Sequence, residues 1–94
     1  MEPSFARKFF LPQIKGRIAS YVARETEPLD KLVKYIKTMR RKYGITSQDL
    51  LQILAEVKRE TVDPFLDPSK ATLYQPKRLS RFESLCRELR VKVG

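Results

Sequence analysis

Apolar residues recur at helical spacing in four separate stretches of this chain, and no stretch alternates as a half-buried strand would. Leu11, Ile14, Ile18 and Val22 hold one face, with Tyr21 beside them and Lys15, Arg17 and Arg24 off it, which predicts a first helix from about Pro12 to Arg24. The clearest helix lies in "TEPLDKLVKYIKTMRRKYG", where Leu29, Leu32, Val33, Ile36, Met39 and Tyr43 share a face. Pro28 suits its first turn, and Glu27 and Asp30 complement the positive end of the helix dipole. Lys37, Arg40, Arg41 and Lys42 complement the negative end, and Gly44 supplies a left-handed stop.

Beyond Gly44 the chain restarts almost at once. Thr46 is a natural N-cap with Asp49 at capping-box distance, and Ile45 and Leu50 occupy the hydrophobic-staple positions. A third helix is expected from about Ser47 to Thr61, and its apolar stripe of Leu50, Leu51, Ile53, Leu54 and Val57 is wide enough to imply contacts on two sides. In "VDPFLDPSKATLYQP", residues 62–76, three prolines break the helical pattern. Phe65, Leu66, Leu73 and Tyr74 give this loop apolar anchors that a flexible tether would not need. The last helix starts near Pro76 or at Ser80, which has Glu83 three residues on, and Leu79, Phe82, Leu85, Cys86, Leu89 and Val93 line one face.

The expected fold is therefore all-α: a small bundle of about four helices with a helix-turn-helix-like corner at Gly44–Thr46 and an ordered proline-containing loop before the last helix. Residues 1–94 read as one domain, with residues 1–11 an N-terminal aromatic and basic arm whose Phe5, Phe9 and Phe10 tuck onto the core or a partner.

Charge narrows the partners. Twenty lysines and arginines against eleven acids give a formal net charge of +9, so nucleic acid, an acidic protein or an anionic membrane face is favoured. Cys86 has no second cysteine to pair with and no secretory h-region is present, which points to an intracellular location, cytoplasmic or nucleoid-associated. Arg7, Lys8, Lys15, Arg17 and Arg24 against Glu2 alone would also suit a mitochondrial targeting helix, although Glu2 and Pro12 are unusual in one. No apolar run approaches the ~18 residues of a membrane span, so no integral membrane segment is expected.

Catalysis finds little support. The chain has no histidine, the commonest general base and zinc ligand, and Cys86 lies on an apolar stripe with nothing to activate it. Asp63 and Asp67 could pair around a cation, but both precede proline, where aspartate starts turns. Glycine is too sparse for a phosphate-cradling loop. We expect no enzyme, no cofactor and no metal site.

The basic residues carry more. Lys34, Lys37, Arg40, Arg41 and Lys42 rise along the second helix as a ridge that could track phosphates, and Arg78 and Arg81 could extend it from the last helix. Helix-dipole complementarity explains their position but not the amount, since a net charge of magnitude about 2–8 would serve solubility.

Residues Ile36–Ala55 resemble the DNA-reading helix-turn-helix motif, with Met39, Tyr43, Ile45, Leu50 and Ile53 at its apolar places around Gly44. The resemblance implies a reading helix that turns Thr46, Ser47, Gln48 and Gln52 to base edges. Arg40 departs from it, standing where the family places a small residue, and the charge lies on the first helix of the pair. A plain αα-corner would produce the same apolar pattern. The expected partner is DNA or RNA. The alternative is a structural subunit of a mitochondrial complex or ribonucleoprotein, and a homodimer through the third helix would suit either.

Overall fold

The computed structural model describes residues 3–93, with side chains from Phe5 onward. Four α-helices account for most of them: α1 (Pro3–Arg24), α2 (Leu29–Tyr43), α3 (Ser47–Val57) and α4 (Lys77–Leu89). The described residues contain no strand, and the chain folds as the small all-α bundle its periodicity predicts.

Helix α1 is the hub, because α2, α3 and α4 all pack against it. Its Ile14, Ile18, Tyr21 and Val22 are buried together with Leu32 and Ile36 of α2, Leu50 and Leu54 of α3, and Phe82 and Leu85 of α4. No polar or charged residue is buried among the described residues, so the core rests on apolar burial alone.

The first helix begins earlier than the sequence implies. Pro12 has no N–H to give to the carbonyl of Lys8, a defect that disfavours a helix interior by about 3 kcal/mol, yet α1 runs through it from Pro3. Tertiary contacts hold the N-terminal half: Ala6 is buried, and Phe10 stacks on Tyr43 with centroids 4.3 Å apart. Arg7 Nε lies 3.5 Å from Asp49 Oδ2. That nitrogen is buried and donates no hydrogen bond, while the same Asp49 oxygen accepts the Thr46 N–H at 3.0 Å. The contact is a Coulombic pair only.

The corner forms as its residues dictate. Gly44 sits at φ +63° and ends α2, and Thr46 Oγ1 accepts the Asp49 N–H at 3.0 Å while Asp49 returns the bond to Thr46. Helices α2 and α3 nevertheless pack on α1 rather than on each other. Helix α3 is regular only to Val57; a π-helical turn (Lys58–Val62) and a 3₁₀ turn (Asp63–Phe65) continue it. Pro64 cannot donate to an i−4 carbonyl, and the widened turn carries Val62 fully into the core. Leu51 is 37% exposed, so α3 packs on one side rather than the two its stripe implied.

The proline loop is tied at both ends. Gln75 N–H donates to the Phe65 carbonyl at 2.8 Å, and the Arg78 guanidinium lies 3.6 Å over the Phe65 ring. Asp67 accepts from the Ser69 N–H at 3.0 Å and hydroxyl at 2.7 Å, the turn chemistry expected of an aspartate before proline. Phe65 and Leu66 anchor the loop, whereas Leu73 and Tyr74, also expected to anchor it, are exposed. Helix α4 starts at Lys77 with Pro76 in the cap position, which puts Ser80 inside the helix and leaves no Ser80–Glu83 capping box.

Candidate nucleic-acid interface

Helical geometry decides which cations of α2 stand together. Lys34, Lys37 and Arg41 follow one another at three- and four-residue steps, so they share a face over about 10 Å of helix. All three are exposed, and neither they nor Lys31 and Lys42 has a carboxylate partner among the described residues. The apolar side of α2 fixes this face outward: Leu32, Val33, Ile36 and Met39 are buried against the bundle.

Lys34, Lys37 and Arg41 border an open groove of about 660 Å³ between α2 and α4, with Leu29 and Val33 as its apolar floor. Thr38 also lines it, four residues after Lys34 and three before Arg41, and contributes a hydroxyl donor. Asp30 and Glu88 are its only acids among the described residues. Lys42 is exposed on the flank, in the last turn of α2, where the orphan carbonyls make the helix end negative.

Three expected contact residues are occupied elsewhere. Arg40 bends back over the corner, its Nε donating to the Ile45 carbonyl at 3.3 Å and its Nη2 to Ser47 Oγ at 2.9 Å. Arg81 Nη1 donates to the Val22 and Ala23 carbonyls at 3.1 and 3.2 Å, closing the C-terminal end of α1. Arg78 Nη1 reaches the Thr61 carbonyl at 3.1 Å and its Nε the Gln75 side chain at 2.9 Å. Burial, and then the neighbouring Arg81 and Arg24, lower the Arg78 pKa below that of a free guanidinium. These three arginines latch helix ends and loops together and do not extend the ridge.

Gln48 and Gln52 are exposed on α3, on the side away from its buried Leu50, Ile53, Leu54 and Val57. Gln52 borders a smaller cleft of about 400 Å³ that also presents Asp49 and Glu56. Lys15 at the same edge is held by Glu56 and Glu60, each at 3.2 Å. Glu56 and Glu60 thereby hold Lys15 beside the glutamines, whereas Lys34, Lys37 and Arg41 of α2 are in no ion pair among the described residues.

A larger open groove, about 870 Å³, runs along the end of α4 over Phe82, Cys86 and Val91, with Lys58, Arg87, Arg90 and Lys92 on its rim. Burial pushes the Cys86 thiol up to about 11, which leaves it a poor nucleophile near neutral pH. Among the described residues no cluster of His, Cys, Asp or Glu could hold a metal ion, and no helix is long and apolar enough to cross a membrane.

Thr38 goes unmarked in the sequence, and Arg24 reads only as a basic residue off the apolar stripe of the first helix. Thr38 could have been found from its i+4 and i−3 relation to Lys34 and Arg41, whereas Arg24 comes close enough to Arg78 to act on its charge only through the fold. Comparison of the chain with known proteins finds no matching family model, no similar curated protein and no similar solved structure.

Proposed function

We propose that this chain is a small, non-catalytic, nucleic-acid-binding protein whose α2 ridge contacts the phosphates of DNA or RNA. One observation carries the reading: Lys34, Lys37 and Arg41 stand in a row on an exposed face, none of them in an ion pair among the described residues, and outnumber the Asp30 and Glu88 carboxylates of the same groove. Such a row attracts a polyanion and releases its counterions on contact. Arg40, Arg78 and Arg81 contribute to the field but hold their hydrogen bonds inside the molecule. Gln48 and Gln52 are the candidates for base contacts, yet the cleft beside Gln52 balances Lys8 and Lys15 against Asp49 and Glu56 and so offers a phosphate backbone little net attraction. Binding is therefore expected to be independent of sequence.

Three phosphate contacts predict a slope of log K against log salt near −2.7, which is roughly a 40-fold loss of affinity between 50 and 200 mM salt. Fluorescence anisotropy with a labelled DNA duplex and a labelled RNA across that range measures it. Absence of binding to either at 50 mM salt overturns the reading.

The second reading, a structural subunit of a mitochondrial complex or a ribonucleoprotein, is favoured by a different observation. Phe5, Phe9, Leu51, Leu73 and Tyr74 are exposed on a molecule this small. Purification at low salt distinguishes the two, since a bound protein partner rather than nucleic acid supports the subunit.

A further inference from the structure

Helix α1 packs on three neighbours and still leaves one face uncovered. Around its axis Pro12, Phe5, Gly16, Phe9 and Ser20 fall within about 80°, on the side opposite Ile14 and Ile18. Phe5 is 60% exposed and Phe9 56% exposed, and the strip carries no charged side chain in a chain that is one-third charged.

Gly16 sits mid-helix on this strip without a reason inside the molecule. Its φ is negative and a Cβ built there would meet nothing within 4 Å, although glycine weakens a helix interior relative to alanine. Gly16 lies about two turns along from Phe9 and three from Phe5, and its missing side chain leaves a notch with room for a ring from outside.

We propose that a second copy of this chain covers the face, with the two α1 helices antiparallel about a two-fold axis between Pro12 and Gln13. In that register Phe9 of each copy lies over Gly16 of the other, and Phe5 lies over Ser20 of the other. Every large residue thus meets a small one, and the pairing is self-complementary as a two-fold interface must be.

Each phenylalanine exposes roughly 100 Å², about 400 Å² for the four in a pair, which falls short of the ~1,000 Å² of a stable interface and fits a weak, concentration-dependent dimer. Two copies of charge +9 repel at low salt, so the dimer is weak there and strengthens as salt screens it. Nucleic-acid binding by α2 has the opposite salt dependence, and the two claims fail independently.

Sedimentation velocity of the full chain at about 0.1 mM, in about 50 mM and about 500 mM salt, tests the pairing. The dimer fraction rises with salt, and Phe5→Ala with Phe9→Ala gives a monomer at both. Gly16→Leu is the sharper variant: it fills the notch, leaves the midpoint of thermal unfolding unchanged or higher, and gives a monomer. Gln13→Cys in a Cys86→Ala background forms an intermolecular disulfide across the axis. A wild-type chain that is monomeric at both salts, or a Gly16→Leu chain that still dimerises, overturns the proposal. So does a monomer whose Phe5 and Phe9 are needed for binding phosphatidylserine vesicles, which assigns the face to a membrane.

Discussion

Arg40 and Arg41 are neighbours of identical charge with different work to do, and substituting each by alanine separates folding from binding. Arg40 donates to the Ile45 carbonyl at 3.3 Å and to Ser47 Oγ at 2.9 Å, while Arg41 is exposed and borders the groove. Hydrogen bonds from a charged donor contribute about 1.5–3 kcal/mol when well formed. One of the two here is long and the other is at the surface, so Arg40→Ala is expected to cost about 1–2 kcal/mol. In a domain of this size that lowers the midpoint of thermal unfolding by roughly 4–16 °C. Arg41→Ala removes no contact and is expected within about 0.5 kcal/mol of wild type. Binding reverses the order: Arg41→Ala makes the salt slope shallower by about 0.9, and Arg40→Ala leaves it nearly unchanged. Calorimetric melts and salt-dependent anisotropy read both quantities. An Arg40→Ala chain that melts like wild type and binds as poorly as Arg41→Ala would refute the assignment of Arg40 to the corner.

Three further outcomes follow from the same geometry. Gly44→Ala puts a side chain at φ +63° with open space around it, so the cost is backbone strain alone, about 1–2 kcal/mol in urea denaturation. Glu27 accepts Arg17 at 2.7 and 2.8 Å, and this pairing holds its carboxyl below the ordinary value of 4.5. Its contribution is complete above that value and is lost as pH falls through the lower folded pKa, so Glu27→Gln should destabilise the protein near neutral pH and flatten its acid unfolding. The buried Cys86 thiol, raised from 9.0 to about 11, contributes stability below 9 that is lost as pH rises toward 11. Thiol reagents at pH 8 should accordingly modify it slowly, and reaction in the folded state as fast as that of a free thiol would contradict its burial and raised pKa.

The features that could be read from the chain are those whose causes are local. Gly44, Thr46 and Asp49 lie within six positions of one another and specify the corner by backbone sterics and two reciprocal hydrogen bonds. The exposed row on α2 follows from its period against a strong apolar face. Long-range contacts hide the rest. Pro12 argues locally for a helix start, and the helix passes through it because Phe10 reaches Tyr43, thirty-three positions on. Arg81 reads as a surface cation until its bonds to carbonyls at Val22 and Ala23 are seen. Excess charge in this sequence therefore splits into two uses, latching and display, that composition alone reports as one.

The central claim is that display belongs to Lys34, Lys37 and Arg41. Measuring the salt slope of nucleic-acid affinity for wild type and for the triple alanine variant at these positions tests it most directly. The account predicts a slope near −2.7 for wild type that collapses toward zero in the variant, with thermal stability preserved because none of the three holds a partner. A variant that keeps the wild-type slope and affinity contradicts it and moves the phosphate contacts to another face.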